Sequence, residues 1–251
     1  MAHIHGTDLV KQYGSGEAAV LAVRDISFDI QNGEFVSIMG ESGSGKSTLL
    51  SIIGALNTPT SGTLLVDGTD VYGLGQEERA DFRRQSLGFV FQNFHLIPYL
   101  TLAENVMLPL ATLKTNKKNK VSMAEEALDR VGLLKKANRL PSQISGGEQE
   151  RVAIARAIVN RPRILLADEP TGNLDSRTGA DIMKLLLNLN REGATVVMVT
   201  HSAEYARYAG RMLLLSDGQL VQESLPTMEI RTGDMGPGTG SCEERLSVLA
   251  T

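Results

Sequence analysis

The chain has 251 residues, 42% hydrophobic and 22% charged, with a net charge of −4. That is enough for one large core burying about 70–75% of the unfolded surface, and it leaves no overall positive field to attract nucleic acid. A single cysteine, Cys242, excludes an intramolecular disulfide and a cysteine-built zinc site, and no apolar run approaches the ~20 residues that span a bilayer.

The opening residues Met1 to Gly6 lack a basic stretch followed by an apolar one, so no signal peptide is expected. The next stretch reads as antiparallel strands joined by tight turns. Ile26, Phe28 and Ile30 alternate with polar residues, and Asn32-Gly33 precedes the apolar run Phe35–Met39. Asp67-Gly68 and Asp217-Gly218 each separate two apolar runs. Such pairs supply the positive φ that two-residue hairpins require.

Four short apolar runs without alternation, Phe35–Met39, Leu87–Phe91, Ile164–Ala167 and Val196–Val199, predict strands buried on both faces of a mainly parallel sheet. Directly after the first comes Gly40-Glu41-Ser42-Gly43-Ser44-Gly45-Lys46-Ser47, then Thr48 and the helical run from Leu49 to Ile53. The glycines let backbone N–H groups converge on phosphate oxygens, at which the helix points its positive end. Lys46 can reach the outer phosphates, and the Ser47 hydroxyl can take a position on Mg²⁺.

The second run ends in Gln92, a side chain suited to metal or water. Residues from about 93 to 160 then read as a helical insert, with Thr101…Glu104 and Ser122…Glu125 as capping boxes opening helices. The four lysines between Lys114 and Lys120 read as a solvated loop, with a docking or lipid-facing patch as the alternative. Ser145-Gly146-Gly147-Glu148 precedes a clear helix. A cap at Ser145 closed by Glu148 explains it structurally, whereas two adjacent glycines fit close backbone approach to an anion better.

The third run ends in Asp168-Glu169, at the edge where open α/β sheets place ligands. Asp168 can hold Mg²⁺, and Glu169 can accept a proton from attacking water or orient it. The stripe Ile182, Leu185, Leu186, Leu189 predicts a helix that Gly193 ends. The fourth run delivers His201. From Gly233 to Gly240, four glycines and a proline read as a flexible tail.

Gly40–Ser47, Gln92, Ile144–Gln149, Asp168–Glu169, Asn173-Leu174-Asp175 and His201 resemble, in order, the Walker A, Q-loop, signature, Walker B, D-loop and switch-histidine motifs of ABC ATPase domains. The resemblance runs from about Thr7 to Glu223. Glu148 and Pro170–Asp175 bring the chain nearest to the bacterial lipoprotein-releasing, macrolide-exporting, haem-exporting and peptide-antibiotic-resistance ATPases, and to the cell-division ABC ATPase. Ile144 departs from a usual leucine and Glu150 from a usual glutamine, neither with an expected effect on the chemistry.

The resemblance implies an α/β fold: a P-loop NTPase core with a mainly parallel sheet, an antiparallel β subdomain and the helical insert, together spanning 1–225, followed by a short tail, 226–251. It implies ATP and Mg²⁺ as ligands. Lys46, Gln92, Glu169 and His201 would be catalytic, and Ser47, Gln92 and Asp168 would hold the metal. Tyr13, Gly40–Thr48 and Ser145, Gly146, Gly147 and Glu148 would touch nucleotide, Tyr13 by stacking on adenine, although strand packing also explains an aromatic there.

Two chains would sandwich two ATPs head to tail. A separate integral membrane permease would hold the protein on the cytoplasmic face of the inner membrane, for export or extraction of a lipophilic or peptide substrate. A complex that only transmits mechanical work, of the cell-division type, is the alternative. A soluble ribosome- or DNA-acting ATPase fits less well, since neither paired ATPase units nor long coiled coils occur. No nucleic-acid partner is expected.

Overall fold

The computed structural model describes residues 2–224; the expected tail lies outside them. An antiparallel sheet holds β1 (Ala2–Tyr13), β2 (Val20–Gln31), β4 (Ser61–Val66) and β5 (Thr69–Asp70) in the order β2-β1-β4-β5. The second sheet holds β3 (Phe35–Met39), β6 (Leu87–Val90), β7 (Ile164–Asp168), β8 (Thr195–Thr200), β9 (Arg211–Ser216) and β10 (Gln219–Ser224) in the order β10-β9-β3-β8-β7-β6. All its pairings are parallel except β9 with β10. The helices are α1 (Lys46–Ile53), α2 (Gln76–Ser86), α3 (Leu102–Met107), α4 (Lys117–Arg130), α5 (Gly146–Ile158), α6 (Ser176–Arg191) and α7 (Ala203–Ala206).

The absence of alternation in the central strands follows from two cores. Leu165, Ala167, Val196 and Met198 pack with α3, α4, α5 and α6 on one face. Their neighbours Ile164, Leu166, Val197 and Val199 pack with α1 and the antiparallel sheet on the other. Both faces are covered, so the strands are almost wholly apolar, with Ser37 in β3 and Thr195 and Thr200 at the ends of β8 as buried polar exceptions. Between β6 and β7 the chain forms α3, α4 and α5, which pack on one another around Leu102, Val106, Leu128, Val152 and Ile154.

Turn chemistry separates the hairpins. Asp67-Gly68 and Asp217-Gly218 place both residues at positive φ (49° and 78°; 49° and 79°) and join β4 to β5 and β9 to β10. At Asn32-Gly33 only the glycine is left-handed, φ 75°. This turn carries the chain from the first sheet to the second instead of closing a hairpin. A second expectation also changes. Ser122 lies inside α4, which starts at Lys117 because Asn116 caps it, its side chain accepting from the Asn119 N–H at 2.8 Å. Lys117, Lys118 and Lys120 are therefore helical rather than in a loop. The Thr101 cap stands as expected, with Glu104 reaching back to the Thr101 N–H at 2.8 Å.

Candidate nucleotide site

The order β3-β8-β7-β6 sets four strand ends side by side, with roughly 4.8 Å between neighbours. From them come the Gly40–Ser47 loop, His201, Asp168-Glu169 and Gln92. One cavity of about 590 Å³ opens there, lined by Ser42, Gly43, Gly45, Lys46, Ser47, Thr48, Gln92, Glu169 and His201, together with Ala22 from β2. Sequence reasoning missed Ala22, since an ordinary strand residue carries no motif.

The loop is shaped for an anion. Gly45 has φ 97°, and a Cβ there would stand 2.1 Å from the Ala22 carbonyl oxygen, so only glycine fits. Helix α1 starts at this glycine without a side-chain cap, leaving its first N–H groups free for a ligand. Ser44 Oγ is buried without a hydrogen-bond partner. Lys46, itself buried, donates from Nζ to the carbonyls of Gly40 (2.8 Å) and Glu41 (2.7 Å), which fixes the ammonium beneath the loop.

Facing the loop, Ser47 Oγ donates to Asp168 Oδ1 at 3.0 Å. Burial raises the Asp168 carboxyl above its usual range; the Ser47 hydrogen bond opposes this, Glu169 adds to it and Lys46 opposes it. Two adjacent oxygens in partly buried ground, beside a phosphate-shaped loop, are a donor set that suits Mg²⁺. Glu169 stands at φ 48° although it is neither glycine nor asparagine and precedes Pro170. Both facts disfavour that conformation. Its N–H donates to the Val199 carbonyl at 3.0 Å, and its Oε2 lies 2.8 Å from His201 Nδ1. Gln92 is tethered through its backbone, whose carbonyl accepts from Asn173 Nδ2 at 2.9 Å.

Residues 145–148 lie apart. None lines the cavity, and Ser145 and Gly146 are exposed. Ser145 caps α5 as a box, its Oγ accepting from the Glu148 N–H (3.3 Å) while Glu148 Oε2 accepts from the Ser145 N–H (3.1 Å). Glu148 is further engaged by Lys136, whose hydrogen bond holds its carboxyl below the ordinary range. The cap uses only the acceptor of the Ser145 hydroxyl, so its proton stays free for an anion. Gly147 is buried against α6, and a Cβ on it would lie 2.1 Å from Thr178 Cγ2. Tyr13, 42% exposed, does not line the cavity either. It pairs with Val20, two residues along β2 from Ala22.

Two features, one buried and one half-buried, had no signal in the sequence. Glu150 is only 1% exposed, neither carboxylate oxygen has a hydrogen-bond partner, and burial raises its pKa to about 8 against the lowering charge of Arg156. Arg156 donates to the carbonyls of His95 and Phe94, both at 2.5 Å, and so ties α5 to the chain just after Gln92.

Comparison with known proteins agrees with this geometry. A profile of the ABC transporter family matches residues 23–172. An uncharacterized ABC transporter ATP-binding protein of Methanocaldococcus jannaschii is 48% identical over 87% of this chain and 98% of its own length. The lipoprotein-releasing system ATP-binding protein LolD of Geobacter metallireducens is 46% identical over 86% of this chain and 96% of its own. The macrolide export ATP-binding/permease protein MacB of Brucella melitensis is also 46% identical over 86% of this chain, which there matches only 34% of a longer protein. A solved dimeric structure of the ATP-binding cassette MJ0796, bound to ADP and Pi, superposes with a TM-score of 0.83 at 45% identity, covering 90% of this chain and 99% of that one. The strand-end constellation, the family profile and this near full-length likeness lead to one conclusion: the chain belongs to the ABC transporter family, as one of its ATP-binding, ATP-hydrolysing cassettes.

Proposed function

We propose that this cassette is the nucleotide-binding subunit of a transporter, that two copies close around two ATPs, and that closure drives a separate integral membrane permease. The observation that carries the reading is the one-sidedness of the site. Within one chain the cavity has a phosphate loop, carboxylates and His201, while the exposed Ser145–Gly147 segment stands elsewhere with a free hydroxyl proton and a helix N-terminus. A second copy placing that segment over the cavity completes it. The dimeric state of the MJ0796 structure supports this.

Ser47 and Asp168 would hold Mg²⁺, with Gln92 alongside; bound there, the ion draws charge from the phosphates. Lys46 and the loop N–H groups bind the outer phosphates, and Glu169 orients the attacking water and takes its proton. His201, held by Glu169, senses the γ-phosphate. The exposed Tyr13 pairs with Val20, two residues or about 7 Å along β2 from the cavity wall at Ala22, a placement that suits the base of a nucleotide seated on the loop. Because hydrolysis removes only the γ-phosphate, contacts to it across the interface last until turnover, so binding does the work and hydrolysis resets it.

Among the described residues no helix is long and apolar enough to cross a membrane. The names of the LolD and MacB relatives, one lipoprotein-releasing and one both ATP-binding and permease, support a permease partner and export or extraction of a lipophilic or peptide substrate. Affinity purification of the tagged chain from detergent-solubilised membranes tests this. The expected result is an integral membrane protein in stoichiometric amount; recovery of only ribosomes or DNA overturns it.

A further inference from the structure

Helix α1 runs from the phosphate loop to Ile53, and the chain then folds back so that the Leu56 and Asn57 N–H groups donate to the Ser51 carbonyl at 2.9 and 3.2 Å. This reversal brings the half-buried Asn57 beside Tyr13, 44 positions away in sequence, and its Nδ2 donates to the Tyr13 hydroxyl. Asn57 is itself anchored. The Tyr72 hydroxyl lies 2.8 Å from the Asn57 carbonyl oxygen and 2.6 Å from that of Ile52. Burial pushes the Tyr72 pKa far up, so the proton that makes these contacts is retained. The Arg79 guanidinium lies over the Tyr72 ring, 5.2 Å from its centroid, and donates to Thr58 Oγ1 at 3.1 Å.

A second contact restricts the Tyr13 ring. Lys11 Nζ sits 5.1 Å from the ring centroid and is fixed by donation to the Thr58 carbonyl at 2.6 Å. One face is thus taken by a cation and the hydroxyl edge is taken by Asn57. With the residue 42% exposed, part of the ring surface is left for a planar ligand.

We propose that Asn57 is a positioning residue of the nucleobase site: it holds the Tyr13 ring in the orientation that accepts the base, and it links that ring to the far end of the helix whose start holds the phosphates. The inference rests on the reading of Tyr13 as the base platform. A free tyrosine on a strand rotates about χ1 and χ2, and base and ring then lose rotamer freedom together on binding. A ring already held loses less, so affinity is gained without a direct contact between Asn57 and nucleotide.

The test compares ADP with inorganic pyrophosphate, which has the phosphates and no base, by calorimetric titration of the full chain. In Asn57→Ala, ADP is expected to bind about threefold to tenfold more weakly, as for one lost hydrogen bond, with pyrophosphate binding unchanged. Asn57→Asp is expected to bind ADP as the native chain does, because its carboxylate accepts the Tyr13 hydroxyl proton. Tyr13→Ala serves as the reference. If it weakens ADP and Asn57→Ala does not, Asn57 positions nothing. If Asn57→Ala weakens ADP and pyrophosphate equally, or Asn57→Asp behaves like alanine, the effect is on the fold and the proposal fails. If Tyr13→Ala leaves ADP affinity unchanged, the base-platform reading fails first and the inference with it.

Discussion

His201 Nδ1 lies 2.8 Å from Glu169 Oε2, across the ends of two neighbouring strands. Glu169 reaches that position with a left-handed backbone, a strain of about 1–3 kcal/mol that the Val199 hydrogen bond and the pairing with His201 help to hold. A carboxylate kept there against its backbone preference points to a task at that spot.

Replacing Glu169 with glutamine tests the task. The amide keeps size and one acceptor oxygen but lacks the charge that polarises water, while Ser47 and Asp168 are untouched. Turnover is expected to fall roughly 10²–10³-fold, about 3–4 kcal/mol. With the γ-phosphate retained, the variant is expected to be dimeric in Mg-ATP and monomeric in ADP by light scattering. Wild-type turnover, or no dimer with ATP, would falsify both the role of Glu169 and the cycle.

Ser145→Arg is expected to act on the neighbouring chain. Nucleotide binding to the single chain should persist, since residues 145–148 do not line its cavity, while closure is blocked by bulk entering the partner's phosphate site. Loss of the cap on α5 should lower stability by ~1 kcal/mol, which thermal melting can register separately. Lys46→Ala, which removes the cation beneath the loop, is expected to abolish turnover in the chain that carries it. Mixing the two variants offers at most one intact composite site per pair. Normal turnover by Ser145→Arg alone would sink the two-chain site.

Glu150 sets a pH dependence of stability. Its folded pKa of about 8 lies above the 4.5 of an ordinary glutamate, so between those values the folded chain holds a proton that the unfolded chain releases. The contribution is fully present below pH 4.5 and is lost as pH rises through 8. Each unit in the window is worth ~1.4 kcal/mol, which amounts to a few kcal/mol across it. Glu150→Gln needs no proton. Urea unfolding from pH 5 to 9 is expected to show a flatter profile and a more stable protein at pH 8. Parallel profiles for the two chains would assign the slope to other groups.

Motifs that join a strand end to the next few residues could be read from the sequence because their geometry is local. A buried strand followed by Gly40–Ser47, or by Asp168-Glu169, has few ways to fold. The Asp67-Gly68 and Asp217-Gly218 hairpins were readable for the same reason. Asn32-Gly33 and Ser122 carry the same local letters, yet tertiary placement decided otherwise: one turn changes sheets and one serine sits within a helix already capped at Asn116. Contacts between distant positions had no local signature. Asn57 reaches Tyr13, Lys136 reaches Glu148 and Arg156 reaches Phe94 and His95 only after the fold brings them together. Glu150 looked like a harmless exchange on a polar helix start, and only its burial reveals the proton it keeps.

The close fit of Gly147 against Thr178 means that side chains at the two positions compete for one volume. A methyl at 147 has room only if the methyl at 178 is gone. Thr178→Ser removes that carbon and keeps the hydroxyl that bonds Asp175 Oδ2 at 2.6 Å. Gly147→Ala alone is therefore expected to lose about 1–3 kcal/mol of stability, and the pair Gly147→Ala with Thr178→Ser to recover most of it in urea unfolding. Equal losses in the single and double variants would show that the space is not shared. Because Gly147 lies in the first turn of α5 and Thr178 in the first turn of α6, the shared volume couples the starts of these two helices mechanically.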